Sequence, residues 1–293
     1  MKKQISTVSS ALKWGCKQLE KSNVDTPRLD VEVLLAYCIN TDRTNLYTIN
    51  GNKLDEISWQ RYAQCIQRRV RREPVAYITG EKEFYSLAFK VTSDVLIPRP
   101  ETETLVEESL KVCMSMREKR SALNILELGT GSGIISVILA KRLETSYIIA
   151  TDISLKIVEV ARNNAKLHKV KRKINFLVSR SLEALKEKEE FFDLIVSNPP
   201  YVSASDWEKV QPEIKEYEPT DALLAGEDGL DFYRKITFGA DGMLAHEGWL
   251  MLEVGMGQKD SVIGMIKKTG KFKRLEVVND LSGIPRVVKA QKG

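Results

Sequence analysis

At 293 residues, with 29% charged and 43% hydrophobic side chains and a net charge of +5, the chain has the composition of an ordinary soluble globular protein, long enough for one large domain and one smaller one. Its longest apolar runs are too short to cross a bilayer, and Met1-Lys2-Lys3 leads into polar residues instead of a signal core, so a cytoplasmic protein with no membrane association is expected. Four scattered cysteines (Cys16, Cys38, Cys65, Cys113) and two histidines (His168, His246) offer little for a metal centre, a disulfide framework or a Ser-His-Asp mechanism, so no metal is expected and the chemistry should come from a bound cofactor.

Taken in order, the chain is helical from Ser6 to about Arg72. Thr26-Pro27-Arg28 starts a helix with Thr as its cap, Pro in the first turn and Leu29, Val33, Ala36 and Tyr37 on the inner face. Trp59, Tyr62, Ala63, Ile66 and Val70 form one face of a second helix that begins near Asp55-Glu56. It ends in Arg68-Arg69-Val70-Arg71-Arg72, either a solvated, dipole-stabilised helix end, which is favoured, or a contact surface for an acidic partner. Residues 1–100 hold 16 Lys and Arg against 11 Asp and Glu, and residues 101–293 hold 29 of each, so the excess charge is N-terminal and too small for a dedicated nucleic-acid stripe.

After Glu73-Pro74 the texture changes. Val75–Ile78, Phe84-Tyr85 and Leu87–Val91 read as short strands, a hairpin joining two domains. The extended Leu96-Ile97-Pro98-Arg99-Pro100 then feeds a helix from about residue 101. Strands are expected at 123–128, 147–151, 174–178, 191–197, 248–254, 272–278 and 285–289. Crossovers between the first five imply a parallel sheet covered on both faces, and the short spacing of the last two implies a hairpin with one antiparallel strand. The expected boundaries are 1–79 for a helical domain, 80–94 for the hairpin linker and 95–293 for the α/β domain.

Two stretches of that sheet carry chemistry. Gly129-Thr130-Gly131-Ser132-Gly133 follows the strand ending Glu127-Leu128 and opens a helix, where glycines let a ligand approach helix N-terminal amides; Asp152 closes the next strand, placed to accept from both hydroxyls of a ribose. A dinucleotide fingerprint needs its third glycine at 134, which is Ile. The Glu127 carboxylate could contact the cofactor or brace the loop, the second being favoured. Further on, Asn198-Pro199-Pro200-Tyr201 ends an apolar strand, and two prolines force the backbone out of the sheet with unpaired carbonyls. The bland possibility is a proline turn after a buried strand. The alternative is an acceptor cluster for a planar NH2 group, with Tyr201 covering its face.

The acid-x-Gly-x-Gly-x-Gly pattern from Glu127 is similar to motif one of S-adenosylmethionine-dependent methyltransferases, and Asn-Pro-Pro-Tyr after strand four resembles the hallmark of those acting on planar nitrogens. Asp25-Thr26-Pro27-Arg28-Leu29-Asp30, Glu73–Gly80, Ile97–Glu103, Glu218-Pro219, Gly226–Leu230 with Tyr233-Arg234, Glu253-Val254-Gly255-Met256-Gly257-Gln258 and Asp280–Gly283 all look like the HemK/PrmC family. The resemblance runs from about residue 20 to the C-terminus. It implies a seven-stranded Rossmann-like class I methyltransferase sheet with a small N-terminal all-helical domain. It also implies S-adenosyl-L-methionine as cofactor, held by Gly129, Thr130, Gly131, Ser132, Gly133, Asp152 and Asn198. The substrate implied is the glutamine of the Gly-Gly-Gln motif in class-1 peptide chain release factors, bound by Asn198, Pro199, Pro200, Tyr201 and Arg99, with Asn198, Pro199 and Tyr201 in the catalytic role. A monomer without direct nucleic-acid binding is expected. The rivals are a glutamine methyltransferase acting on a ribosomal protein and an adenine-N6 DNA or RNA methyltransferase. One departure stands out: after strand three the family carries an acid, where this chain has Ser179-Arg180-Ser181, and Arg180 cannot accept from an adenine amino group.

Overall fold

The computed structural model describes residues 7–179, 182–185 and 190–293. The chain divides into two compact units, one running to Glu81 and taking in Gln211–Tyr217, the other made of Lys82–Val210 and Glu218–Gly293. Ser181 and Arg180, the departure noted above, lie outside the described residues.

The first unit is helical: α1 (Val8–Glu20), α2 (Pro27–Cys38), α3 (Asn45–Thr48), α4 (Glu56–Val70) and α5 (Val75–Thr79). Asp55 caps α4 by accepting from the Ser58 amide at 2.8 Å, and Tyr62 and Ile66 on the expected face are fully buried. Two expectations fail. In α2 the buried face is Val31, Leu34, Leu35, Ala36 and Cys38; of the expected face Ala36 is buried and Val33 half-buried, but Leu29 and Tyr37 are exposed, because Asp30 points inward to meet Arg69 and rotates the helix. Thr26 precedes α2, but its hydroxyl donates to the Asp30 carboxylate at 2.9 Å instead of capping the backbone. The second failure is Val75–Ile78, which is helical: Pro74 holds the entry extended, Ala76 and Ile78 are buried, and Gly80 closes the turn at φ +74°, so packing overrides the β propensity of Val and Ile.

Only part of the arginine run ending α4 is a solvated helix end: Arg71 is exposed, whereas the other three are held in ion pairs. Arg69 is buried and binds Asp30 at 2.7 Å and Glu213 at 3.2 Å; Arg72 binds the same Glu213 at 2.7 Å, and Arg68 pairs with Glu73.

In the second unit a hairpin of β1 (Glu81–Phe84) and β2 (Leu87–Lys90) leads to α6 (Thr102–Arg117). Then come β3 (Leu123–Leu128), α7 (Ile134–Arg142), β4 (Ser146–Asp152), α8 (Leu155–Leu167), β5 (Ile174–Val178) and β6 (Phe192–Ser197). After the short α9 (Ala204–Trp207), and α10 (Pro212–Tyr217) of the helical unit, the chain continues through α11 (Asp231–Met243), β7 (Leu244–Glu253), α12 (Lys259–Lys268), β8 (Phe272–Asn279) and β9 (Pro285–Lys292). The seven strands line up as β5-β4-β3-β6-β7-β9-β8; β3 to β7 are parallel, and β9 runs antiparallel to both neighbours. This is the sheet expected from the strand spacing. Alternate residues feed two cores: Ile125, Ile148, Leu194 and Met251 on one face, Leu126, Ile149, Ile195 and Leu250 on the other. Lys289, on the inner strand β9, is buried and paired with Glu108 of α6 at 2.8 Å and Glu276 of β8 at 2.9 Å.

Candidate active site

The chain enters the sheet at β3 and winds outward to β4 and β5 on one side, then returns to β6 on the other, so a switch point opens beyond the carboxyl ends of β3 and β6. Register fixes what stands there. Leu128 lies opposite both Thr151 and Ser197, and Ser197 opposite Leu252, so the next residues of four adjacent strands, Asp152, Gly129, Asn198 and Glu253, emerge side by side.

The glycine loop is braced from below. Glu127 Oε2 accepts from the Thr130 hydroxyl at 2.8 Å, from the Ser136 amide at 3.2 Å and from the Ser136 hydroxyl. Fully buried, the Glu127 carboxyl is pushed up to about 7 by desolvation, against the pull of those donors. The Thr130 and Ser132 side chains are buried, so the loop offers its backbone. Gly129 and Gly131 hold φ +71° and +53°, and a Cβ at either would meet nothing within 4 Å, which leaves open space over the backbone for a ligand. At Gly133 a Cβ would lie 3.1 Å from the Ala161 backbone, so that glycine serves the packing of α7 on α8. Asp152 accepts from the Gly131 amide through Oδ2 and the Ile153 amide through Oδ1, each at 2.8 Å, and burial raises its pKa. Each oxygen keeps a further lone pair for a hydroxyl donor.

Beyond β6, Asn198 and Pro200 are half-buried and Pro199 buried; the Asn198 Nδ2 donates to the Thr102 hydroxyl at 3.1 Å. Tyr201 packs on the core beside Gly255, where a Cβ would lie 3.0 Å from its ring, and burial pushes its phenol up to about 12, so it is neutral at physiological pH.

Residues 10–80 match the PrmC N-terminal domain and residues 105–215 the methyltransferase small domain. The release factor glutamine methyltransferase of Geobacter sulfurreducens is 40% identical over 100% of this chain and 99% of its own length, and that of Thermodesulfovibrio yellowstonii is 41% identical over 90% and 92%. The chain belongs to the release factor glutamine methyltransferase family. It is an enzyme, a methyltransferase. Among solved structures, the hMettl16 catalytic domain (TM-score 0.55, 14% identity, 80% of this chain and 81% of that one) and a methyltransferase from Pyrococcus furiosus (0.51, 18%, 79% and 99%) share the class I methyltransferase fold.

Two further groups shape the site of this release factor glutamine methyltransferase family member. Arg99 is not free: it pairs with the buried Glu218, whose other oxygen accepts from the Ile97 amide at 3.1 Å, so Pro98-Arg99-Pro100 is pinned by the Glu218-Pro219 motif. Gln258 uses its whole side-chain amide: Nε2 donates to the carbonyls of Tyr201 (2.9 Å) and Gly229 (3.3 Å), and Oε1 accepts from the Gly255 amide (3.1 Å) and the Tyr233 hydroxyl (3.5 Å). Thr102, Glu253 and Gln258 were absent from the residues singled out by sequence, although each falls within a quoted motif. No helix among the described residues is long and apolar enough to cross a membrane, and no cluster of three or more His, Cys, Asp and Glu among them could hold a metal.

Proposed function

We propose that the protein methylates the side-chain amide nitrogen of the glutamine in the Gly-Gly-Gln motif of class-1 peptide chain release factors, with S-adenosyl-L-methionine as methyl donor. The observation that carries this reading is the placement of Asn198-Pro199 next to the glycine loop at the switch point, with Asp152 on the loop's far side. The open backbone at Gly129 and Gly131 suits the methionine portion of the cofactor, and Asp152 suits its ribose. When bound, the cofactor supplies a methyl group on an electrophilic sulfonium.

An amide nitrogen is a poor nucleophile, because its lone pair is delocalised into the carbonyl. Asn198 Oδ1 accepts one N–H of the glutamine and the Pro199 carbonyl the other. This orients the nitrogen and stabilises positive charge as it develops there. Positioning of this kind supplies about 7–11 kcal/mol in favourable cases, and preorganised acceptors add to it, so no strong base is needed in the methyl-transfer step, and the methylated, cationic nitrogen then sheds one N–H proton to water to give the neutral secondary amide. Pro200 and Tyr201 pack on the glutamine, and the pinned Arg99 segment walls the pocket. Residues 1–79 form the substrate-recognition domain, 80–94 the linker and 95–293 the catalytic domain of a cytoplasmic monomer.

The test is radiolabelled methyl transfer by the full chain to purified release factor, ribosomal protein and DNA side by side. Label on the release factor, lost when its Gly-Gly-Gln glutamine is replaced, is the expected result. Label on ribosomal protein or DNA alone overturns the proposal.

A further inference from the structure

Glu253 is a fully buried carboxyl that the proposed reaction does not use, and neither of its oxygens has a hydrogen-bond partner among the described residues. It closes β7, in register beside Asn198. The Thr102 hydroxyl at the start of α6 acts on it closely enough to favour its charged form while staying outside hydrogen-bond geometry; Arg286 of β9 and Arg99 pull the same way, and Glu101 opposes them. The neutral phenols of Tyr201 and Tyr233 lie within its electrostatic reach, and Tyr233 donates to the Glu253 backbone carbonyl at 2.9 Å, not to the carboxyl. Desolvation outweighs these partners and pushes the Glu253 carboxyl up to about 7.

Thr102 is itself buried and accepts from Asn198 Nδ2. A hydroxyl that accepts from an amide still has its own proton to donate, and the buried Glu253 carboxyl nearby is an acceptor without a partner. With Nδ2 held on Thr102, Asn198 turns Oδ1 away from Thr102. A protonated Glu253 reverses the order: the acid donates to Thr102, the hydroxyl donates to Asn198 Oδ1, and Nδ2 is turned outward. An outward Nδ2 is a donor, and so is the NH2 group to be recognised.

We infer that ionised Glu253, acting through the Thr102 hydroxyl, fixes the orientation of the Asn198 amide, which makes Glu253 and Thr102 positioning residues for amide recognition. The inference rests on the role proposed for Asn198 above. The measurement that isolates it needs no turnover: the side-chain NH2 signals of Asn198 in nitrogen-15 NMR spectra of the full chain, followed from pH 5.5 to 8.5. In wild type and Thr102→Ser these signals titrate with a midpoint near neutrality. In Glu253→Gln and Thr102→Val they are flat. In methyl transfer to release factor, wild type and Thr102→Ser share an acidic limb in kcat/KM that Thr102→Val lacks, and Glu253→Gln loses about 10²-fold in kcat at pH 8 with calorimetric cofactor affinity unchanged. A flat wild-type signal, or a titration that persists in Glu253→Gln, overturns the inference even where methyl transfer proceeds. Titration in wild type without any methylation of release factor overturns the proposed function and leaves the relay standing.

Discussion

Ser197 and Leu128 face each other in the parallel pair β3–β6, and the Ser197 hydroxyl donates to the Leu128 carbonyl at 2.8 Å, tying together the last residues before the two loops that make the site. The glycine loop and Asn198-Pro199 therefore start from one rigid point, and a change in either loop is read against a fixed partner.

Asn198→Ala removes the acceptor proposed to orient the amide nitrogen and leaves the glycine loop and Asp152 untouched. Turnover falls by at least about 10²–10³-fold while cofactor binding stays near wild type. Single-turnover methylation with calorimetry checks both halves, and near-normal activity removes Asn198 from the mechanism.

Gln258 joins the Tyr201 carbonyl to the loops at Gly229 and Gly255. Gln258→Leu strands those groups at a cost of about 1–3 kcal/mol in stability. Gln258→Glu loses both donors and sets a carboxylate against two carbonyl oxygens, so its loss of methyl transfer, about 10²-fold, exceeds its loss of folding stability in relative terms. Denaturant midpoints compared with kcat/KM decide this: unchanged kcat/KM in both variants contradicts it.

The pH dependence of stability follows from the buried carboxyls. Glu127 binds its proton more tightly when folded, up to about 7, than when unfolded, so its contribution is fully present below its unfolded pKa and is lost as pH rises through about 7. Glu253, also raised to about 7, acts in the same direction. Urea unfolding of wild type at pH 5.5 and pH 8 should show the fall, and Glu127→Gln should flatten it by roughly 2 kcal/mol. The same slope in both proteins refutes the assignment.

In the helical unit, Arg69 neutralises Asp30 with both side chains buried. Arg69→Ala leaves that carboxylate without its partner and destabilises the unit by about 3–5 kcal/mol, whereas the same change at the exposed Arg71 has an effect within about 0.5 kcal/mol. Parallel denaturation curves would contradict this if the two variants coincided.

The β3–β7 strands were legible because each holds a stretch of Val, Ile, Leu, Met or Phe, β8 and β9 because Val pairs flank the turn Asp280–Gly283, and the two loops after β3 and β6 because glycine and proline announce backbone that leaves the sheet. What escaped was whatever depends on partners far apart in the chain. The Thr102–Asn198 bond spans 96 positions and the Gln258–Tyr201 bond 57, and no local pattern encodes either. The α2 face was misjudged because an inward Asp30 looks like a solvent-facing residue until Arg69 is brought to it. For Val75–Thr79 the cue was present: Gly80 suits a helix C-terminus as well as a strand break.

β9 lies between β7 and β8 although it follows both in the chain. During synthesis from the N-terminus, β7 must wait with a bare edge until residues 285–292 arrive, and β8 has no neighbour to join. Such an edge invites pairing with other chains. The nascent enzyme is therefore most vulnerable to aggregation just before its last strand slots in, and Lys289, which discourages improper strand partners by its charge, finds Glu108 and Glu276 only once the insertion is made.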